Sequence, residues 1–305
     1  MDLLASPTIA QPTPGAAARL LTRRNFIRGL SGSLGAAAVS GTYLRCAEPS
    51  WFDVTSTTVS LPPRIARRSE SPLRVLHLSD LHAYRPWVSL SHIARAVALG
   101  LAQKPDLICL TGDFITEPYD DFAEYGKVLR PLAAAAPTFA CLGNHDGGLW
   151  AARDGGHTRA DGVRAMLKSA GVELLHNTSR EISVRGQRVQ LIGVGDWWTD
   201  ECRPGRAFAT TPPRRGAVRL VLNHNPDAKI AFAKHDWDLM LCGHTHGGQI
   251  GIPVLARLFA PVEDKRFIAG LCPWENRQIF ITRGVGNLHH ARFLCRPEIS
   301  LLNVS

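Results

Sequence analysis

The chain has 305 residues, 45% of them hydrophobic and 20% charged, which excludes a largely disordered chain and suits one large domain or two small ones. A formal net charge of +9 favours anionic partners: phosphates, nucleic acid or anionic lipid. No groove-reading module and no basic run interleaved with aromatics accompanies that charge, so nucleic acid is not expected among the partners.

At the front, "TRRNFIR" (residues 22–28) leads into "GLSGSLGAAAVSGTYL". A basic stretch with paired arginines followed by a mildly apolar, small-residue run resembles a twin-arginine export signal. The apolar run is short and weak for a spanning helix. Residues 1–46 are therefore expected to be a signal or membrane anchor, 47–70 (with "LPPRIARRSE") a linker, and 71–305 the folded domain. The signal implies the twin-arginine translocation machinery and a membrane surface as partners. It also implies residence in the periplasm or on the outer face of the cytoplasmic membrane.

From residue 71, apolar runs alternate with helical patterns: "LRVLHLSD", "SHIARAVALGLAQK", "DLICLTGD", "FAEYGKVLRPLA", "TFACLGNHD" and "RADGVRAMLKSAG". Strand, helix, strand in this order predicts parallel βαβ units. The second half reads mostly as strands. "REISVRGQRVQLIGVGD" predicts a hairpin turning at Arg185-Gly186, followed by "VRLVLNHNP", "DLMLCGHTH", "RQIFITRGVG" and "EISLLNV". The fold class expected is α/β: two packed mixed sheets with helices outside. Cys109, Cys141 and Cys242 lie inside apolar runs and read as small buried hydrophobes rather than disulfide or metal cysteines.

The strands end in "SDLH", "TGD", "GNHD", "NHNPD" and "GHTH". Ligands of open α/β sheets collect beyond the carboxyl ends of strands. The inventory there is Asp80, His82, Asp113, Asn144, His224, His244 and His246, too many side chains for one ion and suited to two. Two aspartates against two divalent ions leave about +2, enough to attract a phosphate oxygen and lower the pKa of a shared water toward ~7. An all-nitrogen-and-oxygen set rich in imidazole favours manganese, iron or zinc over a structural thiolate site, and argues against magnesium or calcium alone. Glycines in "GHTHGG" are expected to let the backbone turn sharply enough to bring two imidazoles to one place.

In the same order along residues 72–290, "SDLH", "TGDF", "GNHD", "LNHNPD" and "GHTHGGQ" resemble the motifs of the calcineurin-like metallophosphoesterases. The resemblance implies a four-layer αββα sandwich and a dinuclear centre: Asp80, His82 and His246 on one metal, Asn144, His224 and His244 on the other, and Asp113 between them. It further implies that His145 hydrogen-bonds the phosphate and assists the leaving group, with Asp146 orienting it. The tail "RGVGNLHHARFLCRPEISLLNV" adds likeness to the bacterial branch with twin-arginine signals. One departure is "ITEPYDD" after "TGDF", where many relatives place an aspartate sooner. The function implied is hydrolysis of phosphodiester or diphosphate bonds in envelope substrates, such as a lipid headgroup or lipid A-type precursor, by attack of a metal-bridging hydroxide. Phosphomonoester cleavage, or a non-catalytic metal-holding scaffold of the same fold, are the alternatives.

Other conspicuous residues have plainer readings. His77 sits mid-strand and is expected to be a packing histidine; His289 and His290 read as a surface pair. Trp197 and Trp198 offer either a lipid or sugar platform or core packing.

Overall fold

The computed structural model describes residues 41–61, 71–211, 216–288 and 291–305. The twin-arginine motif and the His289–His290 pair lie outside the described residues. The chain divides into two compact units, 1–43 and 44–305, and the second contains everything that follows.

Two six-stranded mixed sheets form the centre. In the first, β1 (Asp53–Val59) runs parallel to β12 (Glu298–Val304), and β12 runs antiparallel to β2 (Leu73–Leu78). Parallel neighbours β3 (Leu107–Thr111), β4 (Thr138–Cys141) and β5 (Glu173–Leu174) follow. The second sheet starts from the hairpin β6 (Thr178–Val184) and β7 (Gln187–Gly193). It continues in parallel through β8 (Val218–Leu222), β9 (Leu239–Cys242) and β11 (Arg277–Ile281), and closes with antiparallel β10 (Gly270–Trp274). The hairpin turns at Arg185 and Gly186, both at positive φ, as the sequence predicts.

Alternation along the strands builds the layers, because successive side chains point to opposite faces. Val75, Leu107, Cys109, Phe139 and Cys141 meet Leu191, Leu220, Leu222, Leu241 and Phe280 between the sheets. Their neighbours Leu76, Ile108, Leu110 and Ala140 face outward onto α1 (Leu90–Leu101), α2 (Phe122–Ala135) and, beyond the short α3 (Leu149–Arg153), α4 (Asp161–Ser169). On the far side, Ile192, Val221, Met240 and Ile279 pack under α5 (Pro204–Ala209) and the 3₁₀ turn Pro226–Phe232. The result is the expected αββα sandwich. Sheets covered on both faces explain why the central strands are unbroken apolar runs.

The first sheet corrects one expectation. Residues 47–61 are not linker: β1 lies within them and pairs with β12 along its whole length. A second missed element is α6 (Pro253–Phe259), which follows the "GHTHGGQ" turn. No helix among the described residues is long and apolar enough to cross a membrane. Cys109, Cys141 and Cys242 are buried and free, with burial pushing each thiol up.

Candidate metal centre

All seven ligand candidates follow directly on strand ends: Asp80 and His82 after β2, Asp113 after β3, Asn144 after β4, His224 after β8, and His244 and His246 after β9. Every one is buried. Five of them, Asp80, His82, Asp113, His244 and His246, hold positive φ between 48° and 70°. L-residues pay about 1–3 kcal/mol each for such a backbone and keep it only where surrounding structure enforces it.

Gly247 and Gly248 take the sharp turn expected of them, at φ 61° and 71°, but Gly243 acts differently. At Gly243 the backbone is ordinary, but an added Cβ would collide with Ser79 Oγ and Asp80 Oδ2 from the other sheet. Glycine there lets the two sheets' strand ends approach, while His244 and His246 carry the left-handed turns themselves. Across that seam, the His244 N–H donates to Asp80 Oδ1 at 3.0 Å, and His224 Nδ1 donates to the Thr111 carbonyl at 2.7 Å.

Two groups result: Asp80, His82 and His246, and Asp113, His224 and His244, each with donor atoms within 4.8 Å of one another. In the first, His82 Nε2 stands 3.0 Å from His246 Nε2, and His246 Nε2 stands 3.3 Å from Asp80 Oδ1. In the second, His224 Nε2 is 3.0 Å from Asp113 Oδ2 and 3.2 Å from His244 Nδ1. Asp113 Oδ2 also lies 3.6 Å from His82 Nε2, so one carboxylate faces both groups.

Burial pushes His82 and His244 down to about 3 and His246 well below its usual value, leaving neutral imidazoles with lone pairs to share. Burial also pushes Asp80 up to about 6, with the Asp113 charge adding to it against His224. Burial opposes the charged forms of Asp113 and His224 as well, but their mutual attraction outweighs it, holding Asp113 well down and His224 well up.

These residues fit a divalent ion in each group. The fit rests on a buried atom that nothing else satisfies: Asn144 Oδ1 has no hydrogen-bond partner, a costly arrangement without a cation. An outer partner also sets the tautomer of His224. The Thr111 carbonyl can only accept, so His224 Nδ1 carries its proton and Nε2 is the nitrogen turned to Asp113. His82 Nδ1 meets Thr116 Oγ1 at 3.0 Å, a hydroxyl that can either donate or accept.

His145 and Asp146 are both buried at the end of β4. His145 lies edge-on to His82, with ring centroids 5.2 Å apart. Its Nδ1 donates to the Thr116 carbonyl at 3.1 Å, leaving Nε2 for the cleft. Here the structure corrects the role assigned to Asp146. Its carboxylate accepts three backbone N–H groups, from Gly143 at 2.8 Å, Asp113 at 3.0 Å and Phe114 at 2.7 Å. Burial and the Asp113 charge push Asp146 up to about 8, while the N–H donors pull the other way. It clamps the "TGD" and "GNHD" turns together; Thr116 orients the His145 ring.

The cleft has a volume of about 570 Å³ and is lined by Asp113, Asn144, His145, His244 and His246 on its floor. Tyr84, Trp150, Trp198, Pro261 and Leu288, together with the polar Thr116, Glu117, Asp154 and Asn287, form its walls. Trp198 stands edge-on to His244 at 4.3 Å, and Trp150 likewise to His145 at 4.9 Å. The tryptophan pair thus divides its labour: Trp197 packs against the core and Trp198 walls the cleft. His77 is a packing histidine as expected, buried, bonded to Thr111 Oγ1 at 2.7 Å and pushed down to about 3 by burial.

Three contributors had no signal in the sequence reading. Thr116 serves both His82 and His145. Asp196 caps its own loop through the Trp198 N–H at 2.7 Å, and its Oδ2 is buried without a partner. Arg292 is fully buried and donates to the carbonyls of Arg283, Gly284, Gly286 and Cys295, pinning the loop behind Asp80, and its guanidinium also reaches His246 Nδ1 at 3.5 Å.

A family match, to Calcineurin-like phosphoesterase, spans residues 73–248, from the start of β2 through the last ligand candidate. The chain belongs to the calcineurin-like phosphoesterases. It is 41% identical to Phosphodiesterase YaeI of Escherichia coli (strain K12), over 93% of this chain and all of that one. It is 26% identical to the UDP-2,3-diacylglucosamine pyrophosphatase LpxG of Chlamydia trachomatis, over 88% of this chain and 94% of that one. A third relative, the uncharacterized metallophosphoesterase YkuE of Bacillus subtilis, is 27% identical over 93% of this chain and 98% of its own. This calcineurin-like phosphoesterase is a phosphoric ester hydrolase.

Proposed function

We propose that the protein is a phosphodiesterase with a dinuclear centre, cleaving phosphodiester or diphosphate bonds of lipid-linked envelope substrates outside the cytoplasm. The observation that carries it is the convergence of the two Asp/His groups, sharing Asp113, on the floor of one cleft. Asp80, His82 and His246 would hold one ion, Asn144, His224 and His244 the other, and Asp113 both. Such ions supply positive charge for phosphoryl oxygens and an acidified water. Manganese, iron or zinc suits this donor set.

The chain's own groups account for the rest. His145, held through Nδ1 by Thr116, presents Nε2 to the leaving oxygen and moves a proton there. Asp146 fixes the two turns that carry Asp113 and Asn144. Trp150, Trp198, Tyr84 and Leu288 give the second ester substituent an apolar wall to lie against, which a simple monoester would not use. The names of YaeI and LpxG, a phosphodiesterase and a pyrophosphatase of a diacylated sugar nucleotide, support the same substrate class. The twin-arginine-like "TRRNFIR" supports the location.

The test is turnover by manganese-reloaded protein of an aryl phosphodiester and of the matching monoester. Diester preference supports the reading. A monoester preference would move the protein to the phosphatases. No turnover of either ester or of a diacylated sugar nucleotide, with two ions bound, would favour a scaffold.

A further inference from the structure

Helix α6 is inverted relative to an ordinary surface helix. Its contacts with the domain run through Ala256, with Ala260 just beyond it, while its large apolar residues face solvent. Val254 is 76% exposed, Leu258 71% and Phe259 58%. A soluble face normally shows the opposite pattern.

The face extends beyond the helix. Gly251 N–H donates to the Phe293 carbonyl at 2.7 Å, and Phe293 N–H to the Gln249 carbonyl at 3.0 Å. This short ladder sets Phe293 and Leu294, the latter 60% exposed, beside Ile252 at the helix start. Clusters of exposed apolar side chains of this kind mark interaction surfaces.

Three observations say what covers it. First, residues 249–260 and 291–296 contain Arg257, Arg292 and Arg296 and no acid. Arg292 is buried, but Arg257 is exposed, and Arg296 lies 3.5 Å over the ring of Trp51, itself half-exposed. Apolar residues rimmed by arginine and tryptophan suit the boundary between headgroups and acyl chains. Second, the chain enters this unit beside the same face: the Leu44 carbonyl accepts the Arg292 N–H at 3.0 Å, one residue before Phe293. The run just upstream in sequence is "GLSGSLGAAAVSGTY". Third, the face adjoins the cleft. Gly248 packs directly on Ala256, two residues past His246, and Pro261 just beyond the helix is a cleft wall.

We propose that α6 and the 293–294 loop form a docking surface for an anionic lipid bilayer, seating Val254, Leu255, Leu258, Phe259 and Leu294 among the outer acyl segments. Docked this way, the cleft mouth sits at headgroup level, where a lipid-linked phosphoester is presented. That last consequence rests on the phosphodiesterase reading; the docking itself does not.

The test is hydrogen exchange of the full chain, alone and with vesicles of equal parts phosphatidylglycerol and phosphatidylcholine. Amides of 252–259 and 291–296 should exchange at least threefold more slowly on vesicles. The double variant Val254→Asp, Leu258→Asp should lose that protection while hydrolysing a soluble aryl phosphodiester at the parent rate. Equal exchange with and without vesicles in the parent overturns the proposal. So does protection without lipid that rises with protein concentration, because the face then belongs to a second copy of the chain. Failure of both proteins to cleave the soluble diester counts against the phosphodiesterase reading alone and leaves the exchange result standing.

Discussion

The Asp146 carboxylate accepts the backbone N–H of Asp113 at 3.0 Å, while the Asp113 carboxylate accepts the backbone N–H of His145 at 2.9 Å. Two acidic residues thus bind each other's turns rather than each other's charges. Asp146→Asn keeps the size but offers one acceptor oxygen where three N–H groups need to be satisfied. It should destabilise the protein by about 1–3 kcal/mol and weaken metal binding about 10–100-fold. Thermal unfolding and metal titration check this. A variant as stable and as metal-replete as the parent, but slow, would restore the idea that Asp146 acts on His145.

His145 is expected to act on substrate and not on metal. His145→Ala should lower turnover ~10²–10⁴-fold with two ions retained, the loss typical of a general acid. Metal analysis of the purified variant decides: loss of an ion would make His145 a ligand instead.

For Asp113, whose Oδ2 faces both His224 and His82, replacement by Ala should release both ions together. Atomic emission of Asp113→Ala checks it, and two ions per chain in that variant would refute the shared position.

Acid stability should report on the loop after α6. Arg266 bonds the Asp264 carboxylate at 2.9 and 2.7 Å and, against a smaller effect of burial, holds it down to about 2. The folded value lies below the unfolded one of roughly 3.9, so the contribution is present above about pH 4 and is lost as pH falls through about 2. With solvent screening of a partly exposed pair it amounts to roughly 1 kcal/mol. Asp264→Asn should therefore be less stable than the parent at pH 6 and equal to it near pH 2, as read by urea unfolding. A difference that persists at pH 2 contradicts the assignment.

Much of this was legible in the sequence because the chemistry sits where apolar runs stop. The ends of β2, β3, β4, β8 and β9 each carry a motif of Asp, Asn or His that a buried strand has no other reason to hold. α1 and α4 were legible from their helical spacing. β1 was not, since "DVTSTTV" alternates half-buried and exposed residues on an outer strand and resembles linker in composition. α6 escaped because its apolar residues face outward, so no polar face marks it. Adjacency misled at Asp146: a carboxylate next to a histidine in sequence can bond the ring or the backbone, and only the fold distinguishes them. Thr116 and Arg292 act through contacts that no spacing encodes.

Hydrolysis is proposed to depend on two ions, held by Asp80, His82 and His246 and by Asp113, Asn144, His224 and His244. The most direct test strips the full chain with chelator and follows aryl phosphodiester turnover during titration with manganese. Turnover should be negligible without metal and rise to a plateau at two ions per chain. Turnover that survives complete stripping, or a plateau at one ion, would contradict this dependence.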